Sequence, residues 1–309
     1  MKKIAFIVPS LNEEDSIGQL IDSIKRNTYR SKEIIVVDGG SRDRTVQIAK
    51  SKGARVIKET GRYRCPANAL NCGVKATNAD IICILGSDFL LPDKKFASVG
   101  VKSFDQYTSA IYTKYKTEQD NFFEKIVSSK VGMSICPTFV RKDVFTGSGF
   151  YPVIGVGEDM IFTARVRKYA KEKGLKEKFI TTTYCSGHAV KSPKELFGQA
   201  EWYGRTSLVF LREYYKETKS IFSLAKRVVS MNLRLTYFLL FLLSLISINT
   251  AAFSPFFLAF LLFFVATIIK NYKSRYNMLK VFTNLIFGFG FFIGLLNYLT
   301  GLNRGRGRG

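Results

Sequence analysis

From residue 231 to the end, the chain carries no carboxylate side chain. Residues 231–309 hold eight basic residues, and the last acid before them is Glu217. Within this region, 235–269 contains no charged residue, and 281–303 contains none either. A helix that crosses a bilayer needs about 20 apolar residues. These two runs therefore exclude an ordinary soluble globular protein. The first run is too long for one comfortable crossing and breaks near Asn249-Thr250 and Ser254-Pro255. It predicts a helical hairpin over 231–249 and 254–270. The second run, 280–302, is long enough to span once; the other reading is a re-entrant or interfacial helix. Its glycines, Gly288, Gly290 and Gly294, suit close helix packing. The expectation for 231–303 is two to three transmembrane helices, with three favoured on length.

Basic residues orient such segments. The link between the hairpin arms is uncharged and is expected outside. The next link carries Lys270, Lys273, Arg275 and Lys280 and is expected in the cytoplasm. Three crossings would put the Gly-Arg tail, 304–309, outside against the rule; two would keep it inside. That tail reads as a flexible basic segment, either a native tether or an appended remnant. The expected location is the cell membrane, multi-pass, with the front of the chain cytoplasmic.

The front is basic as well. Residues 1–230 hold 39 basic and 24 acidic residues, so +15 of the chain's net +23 lies there. Such a charge asks for nucleic acid, an acidic membrane surface or a phosphorylated ligand. The sequence has no RNP-type aromatic motif, zinc spacing or compact basic helix, so nucleic acid is rejected. Cys65, Cys72, Cys83, Cys136 and Cys185 show neither pairing nor metal-ligand spacing and read as reduced thiols.

The first 115 residues alternate strand-like and helix-like patterns. Ile4–Val8, Glu33–Val37, Ala54–Ile57, Ile81–Leu85 and Ser109–Tyr115 read as strands. Residues 16–26, 43–52 and 67–76 have helical periodicity, the second with Ser41 as N-cap candidate. This order predicts an α/β domain with a mostly parallel sheet in three layers. Ligands bind such sheets beyond the carboxyl ends of the strands. There the sequence places PSLNEE, DGGS and GSD. No dinucleotide, P-loop or nucleophile-elbow motif is present.

Four segments in order, PSLNEE (9–14), VVDGGSRDRT (36–45), NCGVKATNADIICILGSD (71–88) and GEDMIFTARV (157–166), resemble the family 2 glycosyltransferases, which have the GT-A fold. The resemblance covers about residues 3–205. It implies a domain over 1–192 that binds a UDP- or GDP-linked sugar. Pro9, Leu11, Asn12, Glu13 and Asp38 would hold base and ribose, although Asn12, Asp15 or Asp38 could instead simply cap a helix. The family usually carries Asp-x-Asp after the fourth strand; here the triplet is Gly86-Ser87-Asp88. Asp88 falls on the acid expected to bind Mg²⁺ or Mn²⁺, and Gly86 removes the other acid. Asp159 of the Glu158-Asp159 pair would be the base that takes an acceptor proton. The alternative is a pair of acids favoured by a helix N-terminus. His188, the chain's single histidine, would be a third metal contact or a structural residue.

Processive relatives carry Gln-x-x-Arg-Trp. QAEWYGR (199–205) departs from it, which argues against a polymer synthase and leaves Arg205 to reach the diphosphate. Residues 193–230 mix aromatics with lysines and arginines and read as an interfacial connector on anionic lipid, or as a core helix. The function implied is transfer of a sugar to a lipid carrier, polyprenyl or dolichyl, at its phosphate or at a sugar hydroxyl. The alternatives are a non-catalytic nucleotide-sugar-binding or scaffolding member, or a polysaccharide synthase subunit.

Overall fold

The computed structural model describes residues 1–61, 63–118, 120–127, 131–134, 136–188, 190–246 and 279–301, with short helical pieces at 258–259, 261–262 and 264–266. It divides into two compact units. One is Met1–Glu118 with Lys130–His188; the other is Gln119–Ser129 with Ala189–Arg306.

The first unit begins β1 (Ile4–Ser10), α1 (Ile17–Lys25), β2 (Lys32–Asp38), α2 (Thr45–Ser51), β3 (Arg55–Lys58), α3 (Pro66–Lys75), β4 (Ile81–Ile84), α4 (Phe96–Lys102) and β5 (Thr108–Glu118). After α5 (Phe122–Val127), which belongs to the second unit, come β6 (Val131–Met133), β7 (Phe139–Arg141), α6 (Lys142–Gly147), α7 (Glu158–Glu172) and β8 (Lys176–His188). The strands form one sheet in the order β3-β2-β1-β4-β7-β5-β6, with β8 beside β5.

The sheet is apolar on both faces, as a covered parallel sheet must be. Along β1, Ile4, Phe6 and Val8 pack with Ile17, Leu20, Ile21 and Ile24 of α1 and Phe96 of α4. The alternate residues, Ala5 and Ile7, pack with Leu70 and Val74 of α3 and Phe162 and Val166 of α7. Two helical layers thus enclose the sheet, as expected. The half β3-β2-β1-β4 is parallel throughout. The other half departs from the expected pattern. β7 runs antiparallel to β4 and β5, β6 runs antiparallel to β5, and β8 returns parallel on β5. At three residues each, β6 and β7 are too short to show a period in the sequence.

The second unit holds α5, α8 (Pro193–Thr218), α9 (Ile221–Ile246) and α10 (Leu279–Leu299). α8 opens with Pro193 in its first turn, and the Ser192 side chain accepts from the Glu195 backbone N–H. Its buried stripe, Leu196, Ala200, Gly204, Ser207 and Phe210, recurs at helical spacing. Leu196 and Ala200 pack with Phe287 and Phe291 of α10 and Leu235 of α9. Gly204 and Gly294 meet the backbone of the facing helix: a Cβ on either would run into the carbonyl of Phe291 or Glu201. This is the close packing expected of the α10 glycines: Gly290 and Gly294 face α8, and Gly288 faces the Arg234 carbonyl of α9.

α9 runs unbroken from 221 to 246, so helix continues through 230–231, where the connector was expected to give way to the first apolar segment. Among the described residues, one helical stretch, Phe282–Leu299, is long and apolar enough to cross a membrane; Arg234–Ser244 is shorter. Most of the expected second hairpin arm lies outside the described residues, as do the 270–278 link and the Gly-Arg tail.

Candidate active site

The parallel strand ends of the first unit enclose a cavity of about 520 Å³. Pro9, Leu11, Asn12 and Glu13 line it beyond β1, and Gly86, Ser87 and Asp88 line it beyond β4. Seven of the residues singled out in the sequence therefore share one cleft. Parallel strands bring this about, because each sends its carboxyl end to the same edge of the sheet.

The turn after β1 is tied to the loop after β2. Asn12 sits in the left-handed region at φ 55°. Its backbone N–H donates to Ser41 Oγ at 3.0 Å, and its Oδ1 accepts from the Arg42 N–H at 2.9 Å. Glu13 N–H donates to Thr45 Oγ1 at 2.7 Å, and Glu14 N–H to Asp43 Oδ2 at 3.1 Å. Asn12 and Ser41 thus act between loops instead of capping helices. α1 follows Ser16 and α2 follows Arg44, neither with a side-chain cap.

Asp38 is nearly buried, and both carboxylate oxygens close its own loop. Oδ2 accepts from Gly40 N–H at 3.1 Å and Oδ1 from Ser41 N–H at 3.0 Å. It does not line the cavity of Pro9 and Asp88. It lines a neighbouring cleft of about 600 Å³ with Arg42, Lys50, Lys58 and Arg64.

Asp88 is half-buried. Burial, then the Asp88 charge, pushes the nearby Tyr115 phenol well up. A Cβ on Gly86 would sit 2.8 Å from Asp88 Oδ1 and 2.9 Å from the Phe89 ring, so a side chain there would require Asp88 or Phe89 to shift. Leu90 bridges Ser186 in the antiparallel sense. His188 is the last residue of β8. Among the described residues, no group of three or more His, Cys, Asp or Glu could hold a metal ion. The Asp88 carboxylate nevertheless fits a Mg²⁺-like ion, which is held by one or two carboxylates with substrate phosphates and water completing its shell.

Glu158 and Asp159 open α7 after Gly157, and Asp159 Oδ1 accepts from the Met160 N–H at 2.8 Å. Neither lines the cavity. Their charges reach groups near it. Cys65, which lines the cavity, is raised by burial and, more weakly, by Glu59 and Glu158. Cys136 is raised by burial, then by Asp159, to about 11. Arg205 lies on α8 in the second unit, its backbone N–H beside Gly294, and is not a lining residue.

Sequence reasoning missed Ser10, Glu59, Arg64 and Cys65, all of which line the cavity. Arg64 Nη1 donates to the Gly39 carbonyl at 3.0 Å. The only available signal was position. Ser10 ends β1 inside PSLNEE, where nothing sets it apart, and Glu59 follows β3 outside any motif.

Comparison with known proteins accords with this geometry. The family model described as glycosyl transferase family 2 matches residues 5–189. The chain belongs to that family. A structural likeness to a Pyrobaculum calidifontis mannosyltransferase, solved with GDP-Man and Mn²⁺, covers 96% of this chain and 87% of that one, with TM-score 0.62 and 17% identity. It shows a shared GT-A fold. A glucosyl-3-phosphoglycerate synthase of Petrotoga mobilis is 35% identical over 122 residues, 36% of this chain and 38% of the relative. An undecaprenyl-phosphate 4-deoxy-4-formamido-L-arabinose transferase of Klebsiella pneumoniae is 25% identical over 143 residues, 44% of this chain and 43% of the relative. The chain thus spans less than half the length of either curated relative.

Proposed function

We propose that this family 2 member is a membrane-associated, inverting glycosyltransferase that moves a sugar from a UDP- or GDP-sugar to a lipid carrier at the cytoplasmic face. The single observation that carries the donor side is the cleft shared by Pro9, Leu11, Asn12, Glu13, Gly86, Ser87 and Asp88. The apolar helix Phe282–Leu299 and the acid-free region from 231 support a lipid acceptor. So does the similarity to the Klebsiella transferase, whose name specifies an undecaprenyl-phosphate substrate. In this reading 1–192 is the catalytic domain, 193–230 the interfacial connector on anionic lipid, 231–303 the membrane region and 304–309 a basic tail.

Asp88, with His188, would hold Mg²⁺ or Mn²⁺. The bound cation would neutralise charge on the departing diphosphate. Pro9, Leu11, Asn12 and Glu13 shape the nucleoside end, and Asp38 holds the loop that supports them. Arg205 is assigned to the diphosphate. Asp159, seconded by Glu158, takes the proton of an acceptor hydroxyl as its oxygen attacks the anomeric carbon from behind the leaving group, inverting that centre. A carrier phosphate is already anionic near neutral pH and needs no base.

The test is donor hydrolysis by the purified chain in detergent. Slow, Mn²⁺-dependent release of free sugar from a UDP- or GDP-sugar is expected, and Asp88→Ala should abolish it. Nucleotide-sugar binding with neither hydrolysis nor transfer would favour the non-catalytic binding protein instead.

A further inference from the structure

Glu59 follows β3, on the far side of the cavity from Asp88. It is 5% exposed and lines the cavity. Its Oε1 accepts from the Cys65 N–H at 2.9 Å and from Asn68 Nδ2 at 2.7 Å. Its Oε2 accepts nothing from the described residues. Ser10 lines the same cavity, is also 5% exposed, and its hydroxyl has no partner. Gly39 lies between them: a Cβ there would sit 3.4 Å from Glu59 Oε2 and 3.6 Å from the Ser10 carbonyl. A carboxylate oxygen with no protein donor, on a residue that lines the cavity, is placed to accept a ligand N–H or O–H.

The strand order says which part of a ligand arrives. Across the ends of β4, β1, β2 and β3, Glu59 is three strand spacings from the strand that leads to Asp88, about 14 Å. A nucleoside diphosphate with its phosphates at Asp88 therefore extends its base towards Glu59. Asp38, to which the resemblance assigns the base or ribose, has both oxygens engaged by backbone N–H groups and lines a different cleft.

We infer that Glu59 selects the donor's base, its Oε2 accepting the ring N–H of uracil or guanine. This rests on the donor-site reading above. Cytosine and adenine present a bare ring nitrogen at that edge and would set acceptor against acceptor. The Ser10 hydroxyl, buried and without a partner, is a second polar group beside this wall of the cavity.

Titration calorimetry of the full chain in detergent with Mn²⁺ and, in turn, UDP, GDP, CDP and ADP tests this. UDP or GDP should bind at least ~10-fold more tightly than CDP and ADP. Glu59→Gln keeps an oxygen for Cys65 and Asn68 but turns an NH₂ towards the base. It should weaken the preferred nucleotide by at least ~10-fold and strengthen CDP. A merely structural role would weaken all four alike. Unchanged preference in a variant with a normal circular dichroism melt would overturn the inference. Wild-type protein that binds CDP as well as UDP and GDP would do the same, even if the variant failed to fold. No binding of any of the four would overturn the donor-site reading and the inference with it.

Discussion

Gly86 stands where the family usually has an acid. A side chain there would crowd Asp88 Oδ1 and the Phe89 ring, one of which would have to shift. Restoring the acid with Gly86→Asp should therefore weaken Mn²⁺-dependent nucleotide binding, measured by titration calorimetry; tighter binding would show that the pocket adapts. Asp159 carries a different expectation. Asp159→Asn should leave donor affinity near wild type and abolish turnover on a hydroxyl acceptor, while a phosphate acceptor is little affected. Near wild-type turnover on a hydroxyl would remove Asp159 as the base. Asp88 could be found from sequence because it closes a strand in an acid-bearing triplet. Glu59 could not. It sits in ETGRYRCP, where nothing marks it, and its importance comes from burial and from an oxygen left unpartnered by the fold.

At the scale of elements, periodicity revealed what was long and missed what was short. β1 to β4 and α1 to α3 repeat apolar residues over several turns or strand positions, and the parallel half of the sheet follows from them. β6 and β7 are recruited by neighbouring strands, so their antiparallel pairing has no local signal. The loop lacing through Asn12, Ser41 and Thr45 is likewise a product of two strand ends meeting, which no single segment encodes. The glycines of α10 were legible as a packing device, but the α8 partner of Gly290 and Gly294 was not, because α8 reads as an aromatic, basic helix with one small-residue stripe. Gly294→Leu would force the α8 and α10 backbones apart. Its expected cost is about 1–3 kcal/mol or more, read as a lower melting temperature in detergent; an unchanged melt would mean that the seam contributes little.

For the whole molecule, the net charge of +23 resolves into two parts with one sense. The acid-free region adds cations around apolar segments. The front adds +15 to a domain whose proposed ligand carries a diphosphate. Ile221 and Phe222 are exposed at the start of α9. What sequence and fold leave to experiment is the acceptor, because acceptor choice depends on contacts outside the strand-end cleft. Membranes containing the protein, incubated with a panel of labelled UDP- and GDP-sugars and then extracted with organic solvent, report it directly. Label from one donor should enter the lipid phase, require Mg²⁺ or Mn²⁺, and disappear in Asp88→Ala. Metal-dependent label recovered only in water-soluble product would contradict a lipid-carrier acceptor.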